Sequence, residues 1–368
     1  MSVAKRGQIE IGICSDMPGT ALAGLRGFAA IRQPFDHRTE LRRYQSDVRS
    51  MFEHLREMLA ADDPAARIAF IETGPPEHGA EAFAEVAAAC GMPLKQFTRV
   101  VTVGGDAANP DALVALRGFL DLARRAGTVD RINLQVAGDS VTPPIADLVD
   151  FHVAAEEMSQ EAGVTLLTET HVDRYTHDPR RLLAVHAALL ERTGGRLGLR
   201  VAADLSHYVH QIGNPHFPQW SAISSGALKL DPFDPDNDVS RHIIAGGLVW
   251  GGHLRAARPN DRPPGRGSIQ YPIVDPRTDP ATADMPNGGM GEPWDSGQLA
   301  PWREWYRQLF RYQLQHPERP VARFSAEFIG NGQSGDYRLE PYRNVFQNVA
   351  MVAIAQRLIR EIQADLAR

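Results

Sequence analysis

Short apolar runs alternate along this chain with longer amphipathic stretches. The runs are rich in Val, Ile, Leu and Phe without strict polar alternation, which is typical of parallel strands covered on both faces. The stretches between them have helical spacing, and two begin at a proline, in Asn109-Pro110 and Asp178-Pro179. This order predicts repeated βα units. The predicted strands are 8–14, 67–72, 97–103, 131–137, 164–169, 197–204, 247–253 and 321–327. The predicted helices are 39–61, 79–90, 111–126, 144–161, 179–192, 302–315 and 341–367.

Eight such units fit either a doubly wound open sheet or a closed barrel. An open sheet of the dinucleotide-binding kind has a glycine-rich turn after its first strand. Here the first strand runs into Cys14-Ser15-Asp16-Met17-Pro18-Gly19, which lacks that glycine spacing. The count and the length favour the barrel. We therefore predict an α/β fold in which residues 1–368 form one (β/α)₈ TIM barrel domain, with long loops after strands 6 and 7.

These two loops interrupt the regular order. Residues 213–238 follow the sixth strand, and residues 258–301, rich in Pro and Gly, follow the seventh. A loop this long is either functional or disordered. Because the second loop leaves the carboxyl end of a barrel strand, we expect it to fold over the active site. The alternative is a floppy insertion or one that contacts another subunit.

Composition narrows the class of protein. With 39 Lys+Arg against 45 Asp+Glu the net charge is −6, which argues against a nucleic-acid binder. The two cysteines, Cys14 and Cys90, are far apart, so a disulfide framework is not expected and a reducing compartment fits. The amino terminus lacks the apolar core of a signal peptide, and no run reaches the ~18 apolar residues of a membrane span. We expect a cytoplasmic enzyme that associates with neither nucleic acid nor membrane.

Charged side chains stand where four consecutive predicted strands end. Glu169 ends the fifth strand, Asp204 the sixth, His253 the seventh and Glu327 the eighth. In a (β/α)₈ barrel these ends form the rim on which active sites are built. Three carboxylates and an imidazole that converge there would repel one another unless a cation lies between them. The pattern therefore predicts one divalent metal ion. The donors suit Mn²⁺ best, with Mg²⁺, Co²⁺ and Zn²⁺ as alternatives.

These motifs also carry a resemblance. The series Glu169-x-His171, Asp204-x-x-His207 and His253-Leu254-Arg255, followed by Pro264-Gly265-Arg266-Gly267 and a last strand-end Glu, resembles the xylose-isomerase-like TIM-barrel superfamily of sugar isomerases and epimerases. The match covers roughly residues 164–330. It departs at Ala256, where relatives often carry an Asp.

The resemblance implies roles for these residues. Glu169, Asp204, His253 and Glu327 would be the metal ligands, and His207 would face the oxygens of the substrate. Glu169 and Glu327 would also be acid/base groups, with His171 and His207 as competing bases. The implied reaction is isomerisation or epimerisation of a sugar or polyol through an enediolate held by the metal.

Four further residues are candidates for substrate binding. Arg255 and Arg258 follow His253 on the rim and could hold a carboxylate or hydroxyl, or pair with surface acids. Glu72 ends the second strand on the opposite side, where helix capping or a salt bridge is the alternative. Trp250 could stack on a sugar face, although most such aromatics are simply core.

Two other activities stay open. The first is a lyase of the same superfamily, similar to inosose dehydratases or to the barrel subunit that cleaves 3-keto-C-glycosides. The second, less favoured, is a zinc phosphodiesterase resembling endonuclease IV, which would need histidine ligands that the first strands lack. For partners we expect a carbohydrate or polyol substrate, a homo-oligomer, and room for a small partner subunit.

Overall fold

Eight parallel strands, each hydrogen-bonded to the next, close into a barrel as the sequence predicts. This computed structural model describes residues 8–14, 41–74, 80–103, 110–138, 143–261, 263, 270–279, 282–328 and 343–368. The barrel closes where β1 pairs with β8, with Ile11 opposite Phe324. The strands are β1 Ile9–Cys14, β2 Ile71–Thr73, β3 Leu94–Val103, β4 Arg131–Gly138, β5 Thr165–Glu169, β6 Val201–Ala202, β7 Val249–Leu254 and β8 Ala322–Ala326.

Amphipathic helices surround the strands and bury their apolar faces against them. In α5, for example, Leu182, Val185 and Leu189 are buried, and Asp178 caps the first turn by accepting a hydrogen bond from the backbone N–H of Arg180. The helices are α1 Leu41–Asp62, α2 Ala80–Ala89, α3 Pro110–Ala126, α4 Ile145–Ala162, α5 Pro179–Arg192, α6 Ser206–Val209, α7 Trp220–Ser224, α8 Ala300–Gln315 and α9 Arg343–Leu366. Every predicted helix has its counterpart, although residues 39–40 and 341–342 lie outside the described residues.

The sixth strand is much shorter than predicted. Its pairing with β7 shifts register between Val201 and Ala202, so only these two residues keep strand geometry. Asp204 consequently lies in the turn that follows β6 instead of in the strand itself. The turn leads directly into the short helix α6.

A network of ion pairs between side chains closes the amino-terminal end of the barrel. Arg323 binds Glu10 and Asp130, and Lys95 binds Glu10 at 2.9 Å. Arg131 donates to the backbone carbonyls of Trp250 and Val321 at 2.9 and 2.6 Å. This end of a TIM barrel serves stability, so a site for chemistry is expected at the opposite, carboxyl end.

The long loop after β7 is anchored to the barrel. Tyr271 donates its backbone N–H to the Ala256 carbonyl at 2.8 Å, and Gln347 of α9 accepts from the N–H of Ile273 at 2.9 Å. Its residues 262, 264–269 and 280–281 lie outside the described residues, and this includes all of Pro264-Gly265-Arg266-Gly267. That the loop covers the active site stays a prediction. Within the described ranges, no helix is long and apolar enough to cross a membrane.

Candidate metal centre

The four predicted metal ligands lie together inside the carboxyl end of the barrel. Glu169 is the last residue of β5, His253 lies in β7, and Glu327 follows β8 directly. Ligand atoms of Glu169, Asp204 and His253 are all within 4.8 Å of one another, and His253 Nδ1 is 3.2 Å from Glu327 Oε2. All four side chains are buried. Cys14, at the end of β1, adds a thiol within 4.8 Å of His253 and Glu327.

In Asp204 and in His253, one polar atom contacts neighbouring groups at hydrogen-bond distance. The other polar atom of each residue forms no hydrogen bond with the described residues and is called bare below. Asp204 Oδ1 accepts hydrogen bonds from the backbone N–H and the hydroxyl of Ser206, at 3.1 and 2.5 Å. His253 Nε2 is 2.9 Å from Glu72 Oε1.

Among the described residues nothing forms a hydrogen bond with Asp204 Oδ2 or His253 Nδ1, although both are buried. Their polar neighbours include His207 Nε2, 3.3 Å from Asp204 Oδ2, and Glu327 Oε2, 3.2 Å from His253 Nδ1. Because buried polar atoms normally form hydrogen bonds, these two atoms are suited to bind a further group.

Two amides from β4 hold Glu169. Asn133 donates to its Oε2 at 2.6 Å and Gln135 to its Oε1 at 3.2 Å. Sequence reasoning missed both amides, although they alternate with the apolar residues Ile132 and Leu134. In a parallel strand with both faces covered, that alternation was the signal of polar side chains directed into the barrel.

A buried guanidinium holds the last ligand. The Arg255 side chain is 1% exposed; it donates from Nη2 to Glu327 Oε2 and from Nε to the Glu327 backbone oxygen at 3.4 Å. Its Nε also lies 3.9 Å from Asp204 Oδ2. Within the described part of the chain its Nη1 has no hydrogen-bond partner. Arg255 is therefore part of the cluster and keeps one donor without a hydrogen-bond partner among the described residues.

His171 and His207 form a buried pair beside the ligands. Their ring centroids are 4.1 Å apart, and His207 Nε2 is 3.3 Å from Asp204 Oδ2. His171 Nδ1 bonds the Val172 carbonyl, which leaves its Nε2 as the acceptor of a neutral ring. Neither His207 nitrogen has a hydrogen-bond partner among the described residues. Both rings can thus exchange a proton or a hydrogen bond with a ligand of the site.

Burial raises the pKa values of the carboxyl groups in this cluster, whereas neighbouring positive charges lower them. Burial raises the pKa of Asp204 to about 6 and that of Glu169 above its usual range. Burial acts in the same sense on Glu327, but Arg255 and His253 outweigh it and hold its pKa far below the usual range. Burial lowers the pKa values of His171 and His207, so both are neutral at pH 7.

The arrangement fits a divalent cation. Burial opposes a charged His253, yet Glu327, Glu72 and Glu169 together raise its pKa well above 6.5 when no other cation is present. A dication at the bare Nδ1 would replace that proton and neutralise the surrounding carboxylates. Three carboxylates and one imidazole suit a metal that prefers oxygen and accepts nitrogen.

Two predicted substrate residues are not brought to the cluster. Trp250 lies at the amino-terminal end of β7, where the guanidinium of Arg200 covers its ring at 5.3 Å from the centroid. Arg258 stacks on Tyr271 at 4.8 Å and pairs with Glu292, so its contacts are with other residues of the long loop to which it belongs. Sequence position could not separate these residues from Arg255, because the direction of each side chain depends on its neighbours in space.

Comparison with solved structures identifies the fold. A fusion of a xylose isomerase-like TIM barrel with 4-hydroxyphenylpyruvate dioxygenase matches with a TM-score of 0.53 at 13% identity, over 97% of this chain and 43% of that one. A D-allulose 3-epimerase from Methylomonas sp. matches with a TM-score of 0.51 at 12% identity, over 97% and 100% of the two chains. The chain shares the fold of the xylose isomerase-like TIM barrels.

Another solved structure with this fold is a probable 3-DHS dehydratase from Bacillus anthracis, with a TM-score of 0.50 at 11% identity, over 95% of this chain and 99% of that one. No family model matches the chain, and no curated protein matches its sequence. The resemblance drawn from the sequence motifs is confirmed at the level of the fold. Identities this low say nothing about the substrate.

Proposed function

We propose that this chain is an isomerase or epimerase that depends on a divalent cation and moves a proton at a carbon beside the carbonyl of a sugar or polyol. The observation that carries the proposal is a pair of bare, buried ligand atoms. One is Asp204 Oδ2, and the other is His253 Nδ1, which lies 3.6 Å from Glu169 Oε1 and 3.2 Å from Glu327 Oε2. We propose that one ion is held by these four residues, with Mn²⁺ as the first choice because the donors are three carboxylates and one imidazole.

Different residues of the site would have different roles in this reaction. A bound dication would polarise the carbonyl and acidify the neighbouring C–H. Glu169, fixed by Asn133 and Gln135, is the carboxylate whose raised pKa suits proton transfer. Arg255 keeps Glu327 ionised, and its bare Nη1 would donate to the charge that develops on the substrate oxygen.

A lyase is the second candidate, favoured by the His171–His207 pair. Elimination needs an acid to protonate the leaving oxygen in addition to the base that takes the C–H proton. Two neutral imidazoles beside the ligands offer that second proton path, whereas Arg255 restricts Glu327 to holding charge. The base would then be Glu169, and an imidazole within 4.8 Å of it would relay the proton that Glu169 takes from carbon to the leaving oxygen, accepting a proton at one nitrogen as it donates one from the other.

Two measurements test the proposal. Elemental analysis of the purified protein is expected to give about one divalent ion per chain. In D₂O with Mn²⁺ and a panel of ketoses and 3-keto-glycosides, proton NMR is expected to show exchange of a C–H beside the carbonyl. A new epimer or aldose indicates the isomerase, and loss of water or an aglycone indicates the lyase.

Variants connect the activity to the site. Glu327→Gln is expected to abolish the exchange while the fold survives, because it removes one ligand charge. Glu191→Gln, the same change on the exposed end of α5, is the control and keeps full activity. Protein that neither contains nor takes up a divalent ion would disprove the proposal, as would full activity of Glu327→Gln.

A further inference from the structure

A buried carboxylate lies behind the metal ligand His253. Glu72, in the short strand β2, is fully buried and meets His253 of β7 across the inside of the barrel. An ionised carboxylate is costly to bury unless its oxygens receive hydrogen bonds. Here Oε1 is 2.9 Å from His253 Nε2, and Oε2 accepts from the hydroxyl of Ser325 in β8.

This contact decides which ring nitrogen of His253 can bind a cation. Histidines that bind a metal usually donate the N–H of their other ring nitrogen to an acceptor such as a carboxylate, and the 2.9 Å contact assigns that role to Nε2. The Asn133 side-chain nitrogen is 3.3 Å from the same Nε2 but donates to Glu169 at 2.6 Å. In the neutral ring the lone pair must then be on Nδ1, the atom that faces Glu169 at 3.6 Å and Glu327 at 3.2 Å.

We infer that Glu72, with Ser325 holding its second oxygen, is a positioning residue that fixes the tautomer and the orientation of His253 for the cation. Glu72 thereby acts on the ligand His253 from behind. It does not bind the substrate, although its sequence position suggested substrate binding. This inference rests on the metal site of the proposed function. Outer hydrogen bonds of this kind raise the basicity of a ligand and prevent its ring from turning.

The test compares the Mn²⁺ affinities of variants by isothermal titration calorimetry on the full chain. Glu72→Met removes the acceptor and is expected to raise the Kd by about 10- to 100-fold. Glu72→Gln keeps an oxygen for the Nε2–H and is expected to recover part of this loss. Ser325→Ala is expected to shift the Kd in the same direction by less.

Glu10→Met is the matched control. Glu10 is also a barrel carboxylate, but it pairs with Lys95 and Arg323 at the opposite end, away from the metal ligands. The control is expected to lower the thermal midpoint and to leave the Mn²⁺ Kd unchanged. A purely structural role for Glu72 would make Glu72→Met and Glu10→Met behave alike.

Histidine ¹⁵N NMR of the Zn²⁺-loaded protein reads the tautomer directly. The expected signal is a protonated, hydrogen-bonded Nε2 and a metal-bound Nδ1 for His253, lost in Glu72→Met. An unchanged Kd in Glu72→Met, or a metal-bound Nε2 in the wild type, overturns the inference and leaves the proposed function standing. A wild-type protein that binds no divalent ion overturns both.

Discussion

At the scale of single residues, Arg255 and Glu327 form a buried ion pair inside the site. From the sequence, Arg255 is expected either to contact the substrate on the rim or to pair with a surface acid. In the folded protein its guanidinium lies among the ligands, against a carboxylate that is itself buried. In the absence of a metal ion, Arg255 therefore supplies positive charge to the cluster from inside the protein.

Replacing Arg255 with Met should destabilise the metal-free protein by about 3–5 kcal/mol, because the buried Glu327 would lose the guanidinium that pairs with it. Urea titrations with and without Mn²⁺ measure this, and the ion should restore part of the loss by replacing the missing charge. Arg241→Met breaks an exposed pair with Asp236 and should cost at most about 1 kcal/mol. Equal effects of the two variants would contradict the assigned role.

At the scale of elements, β7 depends on two successive glycines before its ligand. A side chain at Gly252 would overlap the backbone of Ala203, and one at Gly251 would overlap the backbone of Arg323. These contacts let β7 approach both neighbouring strands closely, so that His253 reaches the inside of the barrel beside Asp204. The glycines thus belong to the construction of the site.

Gly252→Ala should therefore lower the free energy of unfolding by about 1–3 kcal/mol, as expected for overpacking, and should also weaken Mn²⁺ binding. Chemical denaturation and calorimetry measure the two effects. Gly291→Ala is the matched control, since an added Cβ there meets nothing within 4 Å. Equal free energies of unfolding and equal Mn²⁺ affinities of the two variants would contradict this role of Gly252.

At the scale of the whole molecule, the proposed cation would connect separate parts of the chain. Its four predicted ligands come from β5 to β8 and the turns that follow them, while the groups that hold those ligands include residues of β2 and β4. An ion that binds only the folded barrel should stabilise all of these parts together by mass action.

At 100 times its Kd, Mn²⁺ should raise the free energy of unfolding by about 2.7 kcal/mol, and EDTA should reverse the gain. Thermal and urea unfolding of the same sample measure it. Asp204→Asn removes a ligand charge at a residue whose Oδ2 is bare, so this variant should gain little from the ion. The same Mn²⁺ gain in Asp204→Asn as in the wild type would place the ion elsewhere.

The sequence by itself determined the eight strands, the helices between them and the four predicted ligands at the strand ends. These features follow from local periodicity, which the chain carries whatever its neighbours are. Even so, β6 is shorter than predicted, because the register with β7 shifts.

Only the tertiary structure decided how the ligands are held. Glu72 meets His253 across 181 residues and Ser325 across 253. No local pattern encodes such contacts, because closing the barrel is what brings β2 face to face with β7 and β8. The same closure placed Arg255 on Glu327 and left Trp250 beside Arg200, at the far end of its strand.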